Sequence, residues 1–130
     1  MAYDYQLLEV EISGRIARVT INNPPINIIT PALYQELVSL VAELKDDDAL
    51  TVIVFKSADP DFFLAHYDVS NILTFPTEGE AERNLELSDF HIMCERVRTM
   101  NKVTIAQIEG RVGGGGSEFA ASMDMRFGVI

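Results

Sequence analysis

"VTIAQIEGRVGGGGSEF", residues 103–119, runs from a β-branched strand through four consecutive glycines into a stretch that looks helical. A strand feeding a helix through a glycine loop is the unit from which α/β folds are built. Glycines at such a junction let backbone amides approach a ligand, and the start of a helix adds partial positive charge, so an anionic group fits there. The spacing predicts a strand over 103–108, a helix starting near Ser117, and a further strand in "MRFGVI" at 125–130.

Two phosphate-binding patterns are excluded by single residues. Gly110 and Gly115 have the spacing of a P-loop and Ser117 its hydroxyl position, but Gly116 stands where a lysine must reach the terminal phosphates. Starting a dinucleotide fingerprint at Gly113 puts its third glycine on Glu118, whose carboxylate would repel pyrophosphate. What remains is a loop of free amides followed closely by one carboxylate. That combination suits stabilising an oxyanion while moving a proton or a water.

Upstream, "LLEVEI" (7–12) and "IARVTI" (16–21) flank Ser13-Gly14 as the two strands of a hairpin. Pro24 and Pro25 cannot continue a ladder, and Thr30-Pro31 supplies an N-cap with proline at the first helical position. Leu33, Leu37, Leu40, Val41 and Leu44 then recur at helical spacing, and Asp46–Asp48 close the helix. "TVIVFK" (51–56) is a β-branched run suited to a strand buried on both faces. A polar passage around Phe75–Gly79 leads to a second amphipathic helix with Phe90, Met93, Val97 and Met100 on one stripe.

Composition bounds the function. The 130 residues are 48% hydrophobic and 23% charged, which predicts one globular domain over 1–130. A formal charge of -10 argues against nucleic acid as a partner, and no apolar run reaches membrane-spanning length. The single cysteine, Cys94, and an acidic rather than basic start are read as cytoplasmic.

Three stretches together carry a family resemblance. "NKVTIAQIEGRVGGGGSEFAASMDMRF" (101–127) resembles the crotonase (enoyl-CoA hydratase/isomerase) segment in which a strand leads through a glycine loop to a helix carrying a catalytic glutamate. "PDFFLAHYDVSNI" (60–72) is similar to the family's other signature, with Phe63, Ala65 and Asp68 in matching places, and "INNPPINIIT" (21–30) resembles its opening strand and asparagine turn. The resemblance implies an α/β crotonase-like fold, the ββα spiral, in truncated form, because members of the family are typically about twice as long.

What the resemblance implies for chemistry is specific. The backbone amides of Tyr67 and Gly115 would form an oxyanion hole for a thioester carbonyl, Glu118 would be the acid/base, and Ala65, His66, Asp68 and Gly114 would contact substrate. Coenzyme A enters as part of an acyl-CoA substrate, with no separate cofactor, and a homo-oligomer, a trimer or dimer of trimers, is implied. His66 stands where the family usually has glycine, a basic residue often seen near the motif's end is replaced by Val69-Ser70-Asn71, and a second glutamate used by hydratases falls beyond Ile130. Alternatives are another hydrolase or lyase of the superfamily, favoured by His66, and a non-catalytic remnant serving as a binding or assembly module. On their own, the glycines read as a tight connection and Glu118 as a helix N-terminal acid. His66, Asp68 and His91 make too weak a set for a metal site, so none is assigned. Ser117 has no base at a suggestive spacing.

Overall fold

The computed structural model describes residues 3–130, and its elements follow one another as three successive strand-strand-helix units. The first comprises β1 (Leu8–Ser13), β2 (Ile16–Ile21) and α1 (Pro31–Asp46). The second comprises β3 (Val52–Ser57), β4 (Phe62–Leu64), a 3-10 turn (Val69–Thr74) and α2 (Asp89–Thr99). The third comprises β5 (Val103–Ile108), β6 (Arg111–Val112) and α3 (Gly114–Ala121), after which β7 (Met125–Gly128) returns to the sheet.

The first strand of each later unit joins one five-stranded sheet in the order β1-β2-β3-β5-β7, parallel except for the β1–β2 hairpin. The second strands, β4 and β6, pair with each other in a separate two-stranded parallel sheet. This division positions the site, because it lifts the ends of β4 and β6 away from the main sheet and lays them side by side.

Local chemistry accounts for the helices. Thr30 caps α1 by accepting from the Leu33 amide at 3.3 Å, with Pro31 at the first position, and the five apolar residues of the expected stripe are all buried. Ser88 caps α2 in the same way, and Met93 and Val97 are its buried residues. Phe90, which the periodicity assigns to the same stripe, is only half-buried. Ala17, Val19, Ile53, Phe55 and Ala106 form the sheet's buried face and belong to one cluster with the helical stripes. Burying each large side chain there contributes about 1.5–3 kcal/mol. Phe55 meets Phe119 of α3 edge to face, 5.1 Å between centroids, which fixes α3 over β3.

Two expectations are corrected. Only one face of β3 is fully buried, since Ile53 and Phe55 are covered while Val52, Val54 and Lys56 are half-buried. The helices gather their apolar stripes on the first face alone. The third helix begins at Gly114 rather than near Ser117, so three of the four glycines lie inside its first turn. Arg126 steadies the other end of α3 by donating to the carbonyls of Ala121 at 3.3 Å and Met123 at 2.9 Å. No helix among the described residues is long and apolar enough to cross a membrane.

Candidate active site

The site is built where two backbone segments meet, Leu64–Tyr67 after β4 and Gly113–Gly116 after β6. Asn27 holds the first of them. Its side chain is buried, its φ is 53°, and its Nδ2 donates to Ser57 Oγ at 2.6 Å, Phe63 O at 3.2 Å and Ile21 O at 3.3 Å. Its Oδ1 accepts from the Asn23 amide at 2.7 Å, and its carbonyl accepts from the Ala65 amide at 3.1 Å. One residue therefore ties the ends of β2, β3 and β4 to the segment that carries Tyr67.

Beyond that clamp the chain lies beside Ile29 as a short parallel bridge. Ile29 donates to the His66 carbonyl at 2.8 Å and Asp68 donates to the Ile29 carbonyl at 3.0 Å. Amide direction alternates along an extended segment, so the Tyr67 N–H points away from this partner. It has no acceptor among the described residues.

The glycine segment is packed against the first one closely. A Cβ at Gly116 would lie 2.6 Å from Leu64 Cβ and 2.7 Å from Leu64 O, and one at Gly113 would lie 2.6 Å from Ala65 O. Gly114 takes φ +48° with His66 Cβ 3.1 Å from its Cβ position. The Gly115 amide is second in α3, where no earlier turn offers an acceptor, and it too is unpaired among the described residues.

Tyr67, Gly115 and Glu118 all line one cavity of about 360 Å³. Its remaining wall is Ile29, Tyr34, Phe75 and Phe90. Glu118 lies two residues past the last glycine, and its carboxylate makes no hydrogen bond or ion pair to the described residues, which leaves both oxygens available to a ligand. Burial pushes the Cys94 thiol up from its ordinary value, a hydrogen bond with Ser122 opposes the shift, and the Glu118 charge adds to it. Burial likewise raises the Tyr34 phenol, with the Asp89 charge contributing.

The other residues singled out from the sequence stand apart from the cavity wall. Ala65 is buried with its carbonyl against Gly113. His66 is exposed, and its Nδ1 lies 2.6 Å from the Tyr67 carbonyl. A carbonyl only accepts, so Nδ1 carries the proton and Nε2 faces outward as an acceptor in the neutral ring. Asp68 caps the 3-10 turn, accepting from the Ser70 amide at 3.0 Å and Ser70 Oγ at 2.7 Å. His91 Nδ1 lies 2.9 Å from Ser88 Oγ at the start of α2.

Sequence reasoning missed the aromatic wall. Tyr34 sits one position past Leu33, on the flank of the buried stripe, where periodicity reads it as a packing residue. Phe75 lies in a polar passage with no pattern to mark it, and Phe90 reads as core. The signal available in principle was the imbalance of Phe90 itself, a large ring at the exposed start of an otherwise polar helical turn.

Comparison with known proteins fits this geometry. The sequence pattern of the enoyl-CoA hydratase/isomerase family matches residues 11–128, and the chain belongs to that family. It is 29% identical over 119 residues to a short-chain-enoyl-CoA hydratase of Clostridium acetobutylicum, covering 90% of this chain and 44% of that protein. It is 30% identical over 121 residues to the carnitinyl-CoA dehydratase of Proteus mirabilis, covering 92% of this chain and 44% of that protein. Among solved structures, an enoyl-CoA hydratase candidate from Streptomyces avermitilis superposes with a TM-score of 0.81 at 37% identity, covering 97% of this chain and 47% of that one. DspI of Pseudomonas aeruginosa superposes with a TM-score of 0.78 at 32% identity, covering 98% and 48%. The fold is crotonase-like, and the chain spans somewhat under half the length of these relatives, consistent with the family's N-terminal half.

Proposed function

We propose that this chain carries the oxyanion-binding half of an acyl-CoA hydratase or isomerase site. The thioester oxygen would accept from the Tyr67 and Gly115 amides, which lowers the cost of the negative charge that develops there as an enolate forms. Glu118 would move the proton or orient the water. The observation that carries this reading is that Tyr67, Gly115 and Glu118 line the same cavity, while the two amides and the carboxylate have no partner among the described residues. Backbone donors serve this role well because the fold fixes them independently of side-chain identity. A tyrosine at position 67 is no obstacle. Ala65, Asp68 and Gly114 then act by shaping the two segments, and His66 by meeting the substrate from the rim.

A second reading, a module that binds acyl-CoA without turning it over, is favoured by the presence of only one acid on the cavity wall among the described residues. Glu118→Gln separates the two. Under the proposal it lowers hydration or isomerisation of a short 2-enoyl-CoA by about 10²–10⁴-fold while acyl-CoA affinity stays within a few-fold. A Glu118→Gln protein with unchanged turnover would falsify the acid/base role. Retained binding in a wild-type chain with no turnover would favour the module.

A further inference from the structure

We infer that the acyl group accepted by this site carries an aromatic ring close to the thioester, an inference that rests on the thioester reading above. Four of the cavity's walls are rings: Tyr34, Tyr67, Phe75 and Phe90. They are not scattered. Tyr34 and Phe90 are nearly parallel, 19° apart with centroids 6.4 Å from each other, and Tyr67 stands perpendicular to Tyr34 at 6.2 Å. The three rings pack on one another as a cluster on the cavity wall, and that wall offers a ligand in the cavity both ring faces and ring edges, the two arrangements that the aromatic quadrupole favours.

The position of the box relative to the donors sets where that ring must be. The Phe90 Cζ lies 3.5 Å, and the Ile29 Cδ1 3.4 Å, from where a Cβ on Gly115 would stand. A carbonyl oxygen held by the Gly115 amide therefore has its acyl substituent against Phe90 within the first few carbons. Size agrees. An apolar cavity of about 150 Å³ takes one benzene ring, and the roughly 360 Å³ here holds a ring together with the thioester unit and a two-carbon connection. Glu118 is the single charged residue on the wall among the described residues, at the donor end of the cavity, which leaves the ring end neutral.

An apolar pocket that reads only size and an aromatic box that reads π-character differ in sign for one pair of ligands. Calorimetric titration of the wild-type chain with 3-phenylpropanoyl-CoA and 3-cyclohexylpropanoyl-CoA compares ligands with the same carbon skeleton and no double bond to hydrate. The phenyl compound is expected to bind about two- to tenfold more tightly. Equal affinity, or preference for the larger and more apolar cyclohexyl group, overturns the inference. Phe90→Leu is expected to bring the phenyl preference below twofold, and an undiminished preference in that variant also counts against it. Acetyl-CoA is the control. Acetyl-CoA binding without aryl preference overturns only this inference, whereas failure to bind any of the three thioesters overturns the thioester reading with it.

Discussion

Leu64–Tyr67 and Gly113–Gly116 are two four-residue segments that do the same work with opposite sequences. Each lies at the end of a strand of the small sheet, and each carries a cavity-lining residue, Tyr67 or Gly115, whose amide has no acceptor among the described residues. The first carries ordinary side chains, including a fully buried leucine and a tyrosine that forms part of the cavity. The second carries none. The reason lies in the contact between them: the space beside Gly116 and Gly113 is already filled by Leu64 and by the Ala65 carbonyl. One segment brings the side chains and the other gives up its own, and that asymmetry lets the two backbones come close enough to place Tyr67 and Gly115 on one cavity.

The asymmetry can be broken at graded cost. Gly116→Ala puts a methyl group within 2.6 Å of Leu64 Cβ and 2.7 Å of its carbonyl oxygen, neither of which is a flexible end. It is expected to destabilise the fold by about 3 kcal/mol or more in denaturant unfolding. A loss under 1 kcal/mol would mean that the two segments are looser than described.

Asn27→Ala attacks the opposite segment by removing the clamp. The Phe63 carbonyl, the Ser57 hydroxyl and the Asn23 amide each lose a hydrogen bond, and the Ile21 carbonyl keeps that from the Ala58 amide. The expected cost is about 2–3 kcal/mol, together with weaker acyl-CoA binding as Tyr67 is released from its position. Unchanged affinity in a folded Asn27→Ala protein would show that the clamp serves stability alone.

Gly115→Ala gives the smallest effect on stability and sharpens the comparison. Its added Cβ meets only Ile29 Cδ1 at 3.4 Å and Phe90 Cζ at 3.5 Å, ordinary contact distances. Melting is expected to change by no more than about 0.5 kcal/mol. The methyl group intrudes on the cavity instead, so the change should appear in affinity for bulky acyl groups. A large melting change would place Gly115 with its neighbours rather than apart from them.

Much of this was legible in the chain itself. The hairpin, the Thr30-Pro31 start of α1, its five-residue stripe and the strand before the glycines all rest on local chemistry, which sequence displays directly. The one-sided burial of β3 did not, because Val52 and Val54 look as suited to a core as Ile53 and Phe55, and only the placement of the helices distinguishes them. The start of α3 was missed for a related reason. Glycine is a poor helix former, and its presence in the first turn is decided by what lies opposite, some fifty residues earlier in the chain. At the site, the glycine loop and Glu118 were readable from the loop pattern and Tyr67 from the resemblance, and the structure brings Tyr67, Gly115 and Glu118 to one cavity. The aromatic wall was not, since Tyr34, Phe75 and Phe90 come from three separate elements and share no spacing.

The two unpaired amides also give the site a clock. An amide inside a ladder, such as that of Val54 or Ile105, exchanges its proton with solvent only when the surrounding structure opens, whereas an unpaired amide facing an open cavity has no such barrier. In the free protein, Tyr67 and Gly115 should exchange rapidly while the sheet's paired amides exchange slowly. Occupying the cavity would reverse their rank without altering the fold around them. The pair proposed to hold an oxyanion would thereby serve as its own reporter of occupancy, readable in time rather than in distance.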